Sequence, residues 1–377
     1  MVKPLRPIGE ICQLKEKEVE IEKEATPNFD EVIRGSLGQH VHTKFKSPDY
    51  LIERTYFTDP LAFFITSVAR DLKIPTPRGI PLIRGFGFGK THALILLWHL
   101  YNSDIIKKIK QPKNQQWKIE ISEDDIKETL VLGFDFSKTG IDRIFDILEA
   151  IATQKSPICK YKDPALITAI AEVIKGITRA KAVSMTSDEM ASTIVSILDK
   201  YRELGGRPKL LLLVDEVGFG IISRIKMFIE KKSEEPYLQI DKTLTFLEHL
   251  YRELSGRGIP GIIIWALAEQ DLRQLEIIER QHHDKETIYQ KIKGLRDYID
   301  ILRERLGRAT GGIGEDALTY SYEHAMQIAK FRVLNFIDHE DKAKREFIDH
   351  LTAQAIEFNL REELERNKEM LSKYYPF

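Results

Sequence analysis

Lys90 and Thr91 close the run Arg84-Gly85-Phe86-Gly87-Phe88-Gly89, with apolar Ile80-Pro81-Leu82-Ile83 before it and Ala93-Leu94-Ile95-Leu96-Leu97-Trp98 after it. An apolar strand, a glycine-rich turn, a Lys-Thr pair and a helix make a loop that cradles phosphate. Glycines let successive backbone N–H groups turn inward, and the helix start adds the positive end of its dipole. In such a loop Lys90 reaches the β- and γ-phosphates of a nucleoside triphosphate, and Thr91 places its hydroxyl on Mg²⁺. The candidate nucleotide contacts are therefore Arg84, Gly85, Phe86, Gly87, Phe88, Gly89, Lys90, Thr91 and His92. One position departs from the usual spacing: Arg84 stands where the first glycine of the loop belongs.

A second constellation lies downstream. Leu211-Leu212-Leu213-Val214 runs into Asp215-Glu216. A buried strand ending in two acids delivers both to the C-terminal edge of a sheet, where open α/β folds bind ligands. Neighbouring side chains of an extended segment point different ways, so the two acids can hold different jobs. Asp215 is the expected Mg²⁺ residue, directly or through water, and Glu216 the group that polarises the attacking water.

Three further groups of residues are candidates with open alternatives. The apolar run Ile262 to Leu267 ends in Ala268-Glu269-Gln270, so Gln270 or Glu269 is placed to sense a γ-phosphate, or simply to cap a helix. Asp135, at the tip of Leu130-Val131-Leu132-Gly133-Phe134, is another edge carboxylate. Arg303 and Arg305 lie in an arginine-dense helix and are candidates to neutralise transition-state charge. Acidic neighbours Asp297, Asp300 and Glu304 equally suit a solvated, ion-paired helix.

The elements that must position these residues follow from periodicity. Unbroken apolar runs suit parallel strands buried on both faces, and they occur at Ile80–Arg84, Leu130–Phe134, Leu210–Val214 and Ile262–Leu267. Helices are expected from Asp59 (as N-cap, with Pro60 in the first turn), from the Lys-Thr pair to about Asn102, and over 141–153, 164–178 and 188–204. Residues 1 to about 45 read as irregular, 107–118 as an exposed basic excursion, and the chain beyond Asp271 as almost wholly helical. The expectation is a parallel α/β core with a C-terminal all-α lid. Its segments are an arm and linker helix at 1–78, a core at 79–294 and the lid at 295–377.

The run Gly85-Phe86-Gly87-Phe88-Gly89-Lys90-Thr91-His92, with Leu94 and Leu97-Trp98-His99-Leu100 after it, resembles the phosphate loop of large prokaryotic ATPases encoded in defence islands, often beside DNA methyltransferases. Leu51 to Thr58, Asp215-Glu216-Val217, Arg303-Glu304-Arg305-Leu306 and the closing Tyr374-Tyr375-Pro376-Phe377 are similar to further segments of that group. The group's members are usually far longer, so the resemblance covers their N-terminal ATPase part, and the chain is a fragment or a shortened member. It implies an AAA+-like P-loop ATPase using ATP and Mg²⁺, forming a homo-oligomer, and driving a conformational or motor step on DNA or a DNA-modifying partner in phage defence. Gly218-Phe219-Gly220, where the group is bulkier, suggests a mobile loop near the γ-phosphate. A nucleotide-gated assembly module with little turnover is the alternative.

Composition narrows the setting. The chain has 377 residues, 42% hydrophobic and 31% charged, with net charge −1, so it is globular and carries no overall push toward nucleic acid. A local DNA contact would rest on Lys107, Lys108, Lys110 and Lys113, a cluster that also suits a solvated loop. Cys12 and Cys159 are the two cysteines and form no metal spacing or disulfide framework, which fits a reducing cytoplasm. No apolar run approaches the ~20 residues that span a bilayer, so no membrane role is expected.

Overall fold

The computed structural model describes residues 12–14, 27–84, 89–109, 119–307, 318 and 334–336. The chain divides into two compact units, one of Met1–Thr26, Arg54–Tyr56 and Tyr320–Phe377, the other of Pro27–Glu53 and Phe57–Thr319. These cut the chain differently from the expected boundaries near 78 and 294. In the smaller unit, strand Cys12–Leu14 pairs antiparallel with strand Leu334–Phe336. The segment read as all-α thus contains a strand whose partner lies at the other end of the sequence.

The larger unit begins with α1 (Phe29–Ser36), α2 (Pro48–Glu53) and α3 (Asp59–Asp71), then β1 (Arg78–Arg84) and α4 (Lys90–Asn102). There follow α5 (Glu123–Glu128), β2 (Thr129–Asp135), α6 (Asp142–Ala152), α7 (Pro164–Ile174), α8 (Arg179–Ser184), α9 (Ser187–Glu203) and β3 (Lys209–Asp215). The unit continues with α10 (Val217–Lys231), α11 (Glu235–Gly256), β4 (Gly261–Ala268), α12 (Glu269–Gln281) and α13 (Glu286–Gly307).

Four of the elements form one all-parallel sheet in the order β1-β4-β3-β2. Every residue of β2 and β4, and all of β3 but Lys209, is buried, which is why these strands read as continuous apolar runs. β4 sits between the glycine-rich strand and the strand of the acidic pair. Register sets the ends level: Arg84 pairs with Ala268, and Asp135 with Asp215. The C-termini of all four strands therefore face one edge.

Helices flank the sheet. From His92 to Asn102 every residue of α4 is buried, so this helix is enclosed all round, packed against β2, β3 and α1. Trp98 donates its indole N–H to Ser36 Oγ at 3.0 Å and meets Phe29 edge-on. α1 was not expected within a stretch read as irregular. Asn28 caps it, accepting from the Glu31 N–H, and Phe29, Val32 and Ile33 bury one face. The cap of α3 also differs from expectation. Thr58, not Asp59, accepts the Leu61 N–H, leaving Asp59 in the first turn beside the positive helix end. α6, α7, α9, α11 and α10 contact one another in sequence as a second layer.

α13 runs through the expected core–lid boundary. A Cβ on Gly79 would come within 2.3 Å of Leu306 Cβ, so the end of α13 rests directly on the start of β1. No helix among the described residues is long and apolar enough to cross a membrane.

Candidate functional site

Strand ends and helix starts bring the two constellations together. Gly89 adopts φ 73°, a left-handed conformation open to glycine, and starts α4 as its N-cap, where its carbonyl accepts the Ala93 N–H. The Lys-Thr pair is thereby the first turn of α4. Residues 85–88 and the Arg84 side chain lie outside the described residues, so the expectations for Arg84, Gly85, Phe86, Gly87 and Phe88 concern positions not described.

Asp215, at the tip of β3, is 1% exposed and accepts a hydrogen bond from the Thr91 hydroxyl and another from the Glu216 N–H, while its Oδ2 is buried without a partner. Burial, then the charge of Glu216, pushes the Asp215 carboxyl up to about 7, against the Thr91 bond. Asp135 lies beside it on β2, raised by burial against hydrogen bonds from the Ser137 N–H and hydroxyl at 2.8 and 2.6 Å.

Glu216 caps α10 at φ 52° and ψ 35°. A non-glycine residue in that region costs about 1–2 kcal/mol and marks a site whose surroundings enforce it. Burial raises its pKa, helped by Asp135 and Asp271 and opposed by Lys90 and Lys138.

Lys90 faces this group of acids. Burial lowers its pKa, and Glu216, Asp215, Asp271 and Glu269 each raise it. Asp271 is a residue the sequence reading missed. It is 5% exposed in the first turn of α12, it packs on Gly218, and burial raises its pKa against the charge of Lys90. Gln270 is exposed, so the polar residue turned inward after β4 is Asp271, with Glu269 also within reach of the Lys90 charge. Helical phase decides this. Gln270 and Asp271 are neighbours in sequence, and no local signal tells which one the packing turns inward.

Other expectations are redirected. The His92 ring is buried edge-on against Phe45 at 6.2 Å, so its side chain belongs to the core. Arg305 pairs with Glu248, which also accepts from the Tyr298 hydroxyl at 2.6 Å, and Arg303 pairs with Asp300 at 3.1 Å. Both arginines flank Leu306, near the start of β1, whereas the acids gather at the strands' far ends. Among the described residues, the charges dominating at Lys90, Asp215 and Glu216 include no arginine. Gly218-Phe219-Gly220 is not a loop but the first turn of α10. A Cβ on Gly218 would meet Asp271 at 2.6 Å, and one on Gly220 would meet Phe136 at 2.6 Å. The basic excursion is also partly neutralised: Lys107 pairs with Glu123 and Lys108 with Asp49, both at 2.6 Å, while Lys110 and Lys113 lie outside the described residues.

Among the described residues acids outnumber bases at this edge: Glu216, Asp215, Asp271 and Glu269 act on Lys90, and the exposed Lys138 acts on Glu216 and Asp135. Among the described residues no three His, Cys, Asp or Glu converge as a metal cage. A separate cavity of about 630 Å³ opens at the opposite edge of the sheet. Its wall is occupied by internal pairs, with Lys209 donating to Asp125 at 2.8 Å and Glu128 at 3.0 Å.

No protein-family model matches the chain, and neither does any curated protein or solved structure.

Proposed function

We propose that the chain binds ATP with Mg²⁺ at the C-terminal edge of its sheet and hydrolyses it. The observation that carries the reading is the Asp215 carboxylate, buried, hydrogen-bonded to Thr91 and left with one oxygen unpartnered. Two sequence segments far apart thus meet as a Lys-Thr helix start and a strand-end acid. Their donor set fits hard-cation binding through Thr91 and Asp215.

Bound there, Mg²⁺ would supply charge neutralisation for the phosphate oxygens. Lys90 and the N–H groups at the start of α4 hold the β- and γ-phosphates. Glu216, beyond the Asp215 tip, accepts a proton from the attacking water. The water oxygen bonds to the γ-phosphorus, the bond to the β-phosphate oxygen breaks, and ADP leaves with that oxygen's electrons. The raised pKa of Glu216 makes it a stronger base than a solvated carboxylate. Asp271, near Lys90 and packed on Gly218, is suited to report the state of the γ-phosphate to α10 and α12.

The resemblance to defence-island ATPases supports ATP over GTP, a cytoplasmic setting and work on DNA or a DNA-modifying partner. Because Arg303 and Arg305 are paired away from the acids, a charge-stabilising arginine is proposed to come from a second copy in a homo-oligomer. The test is steady-state hydrolysis of ATP and GTP by wild type, Lys90→Ala and Glu216→Gln, with and without Mg²⁺ and duplex DNA. A wild-type rate no higher than that of Glu216→Gln would reject the hydrolytic assignment.

A further inference from the structure

We propose that Arg224 is a positioning residue for hydrolysis, bracing the turn after β2 against the first turn of α10 so that Glu216 stays fixed opposite Lys138. The proposal rests on the ATPase reading and names a residue that does not meet the nucleotide.

Arg224 lies on α10, is 7% exposed and makes no ion pair among the described residues. Its donors go mainly to backbone. Nη1 donates to Phe136 O at 2.6 Å and to Gly220 O at 3.2 Å, and Nη2 to Thr139 O at 3.3 Å. Nε donates to Gln239 Oε1 at 3.1 Å, and the guanidinium lies 4.0 Å over the Phe136 ring. Burial disfavours its charge, Asp135 and Asp142 offset this through space without an ion pair, and apolar residues of similar volume would fill the space more cheaply. What hydrocarbon cannot do is hold two backbone segments with one rigid fork.

Both segments carry the site. The turn is anchored on Asp135, whose carbonyl accepts the Lys138 and Thr139 N–H groups at 3.1 and 2.9 Å, and Phe136 N–H donates to Asp215 O at 2.9 Å. On the helix side, Gly220 N–H donates to Glu216 O at 2.8 Å, closing the turn that holds Glu216 in its left-handed conformation. A Cβ on Gly220 would come 2.8 Å from Phe136 O, so the two backbones touch and Arg224 clamps them from one side. Lys138 is exposed on the braced turn, and its charge acts on both Glu216 and Asp135.

The test uses two independent disturbances of the same contact: Arg224→Lys, which loses the fork, and Gly220→Ala, which wedges the surfaces apart. Each is expected to lower kcat by roughly 10-fold to 100-fold, the penalty of a small misplacement. The KM for ATP should stay within about threefold of wild type, since binding groups are untouched. In a Glu216→Gln background neither change should lower the residual rate further, because Arg224 acts through Glu216. Unchanged kcat in either folded variant, or an equal further loss without the Glu216 carboxylate, would overturn the positioning role. A wild type no faster than Glu216→Gln would instead reject the ATPase reading itself, and the hydrolytic role of Arg224 with it.

Discussion

Asp215→Asn is expected to stabilise the metal-free protein at pH 8 and to leave it nearly unchanged at pH 5. In the folded chain the Asp215 carboxyl is pushed up to about 7 from 3.8, first by burial and then by the Glu216 charge. A carboxyl raised in this way binds its proton more tightly folded than unfolded. Its stabilising contribution is complete below pH ~4 and is lost as pH rises through about 7. The displacement corresponds to about 4 kcal/mol held against the fold at pH 8. Asparagine keeps an oxygen for the Thr91 hydroxyl but leaves a buried amide partly unpaired, which costs ~1–2 kcal/mol. The net gain at pH 8 is then about 2–3 kcal/mol, or roughly 5 °C in midpoint for a unit of this size. At pH 5 the carboxylate penalty has shrunk to ~1.6 kcal/mol, and the two contributions cancel. Thermal or urea unfolding with a chelator present reads both values. A variant that melts at or below wild type at pH 8, or gains equally at both pH values, would show that Asp215 carries no such burden.

Thr91→Ala removes the hydroxyl that meets Asp215 and should raise the Mg²⁺ needed for half-maximal hydrolysis by ~10-fold or more, read by metal titration at saturating ATP. Glu216→Gly relieves a left-handed residue, so it should melt no lower than wild type and up to ~1 kcal/mol higher, while turnover falls to the Glu216→Gln level. A lower midpoint would mean that the conformation carries no strain. Lys162, buried, donates Nζ to the carbonyls of Tyr101 at 2.7 Å, Ile126 at 3.2 Å and Thr129 at 2.7 Å. Lys162→Met strands those three acceptors and should cost about 3–4 kcal/mol in urea unfolding, against less than ~1 kcal/mol if water replaces the ammonium.

The sheet was legible because its strands are buried on both faces and so are written as unbroken apolar runs. The Asp-Glu pair was legible because it stands where such a run ends, and the Lys-Thr pair because a glycine-rich turn joins it to the end of another. What escaped depends on packing rather than pattern. α1 shows only Phe29, Val32 and Ile33 among polar neighbours, too few to announce a helix. Asp271 differs from Gln270 only in helical phase. Gly218 and Gly220 suggested mobility, yet they are small because Asp271 and Phe136 lie against them. Arg224 resembles any surface arginine on a helix, since its acceptors are carbonyls that the sequence does not display. The Leu334–Phe336 strand is three residues long, below the length at which alternation becomes visible, and its partner begins at Cys12.

That pairing of distant strands bears on how the polypeptide matures. Cys12–Leu14 leaves the ribosome before any strand of the parallel sheet, and its partner is made only after all four have been synthesised. At ~5–20 residues per second the first strand waits on the order of tens of seconds, with its hydrogen-bonding edge unmatched. Closing so long a loop adds little to the equilibrium cost, which grows only logarithmically with length. The burden is one of timing. The parallel sheet has every residue it needs before the ribbon can form, so the ribbon closes only after the sheet's strands are made, and the waiting Cys12–Leu14 strand is where a chaperone or a wrong partner would find its opening.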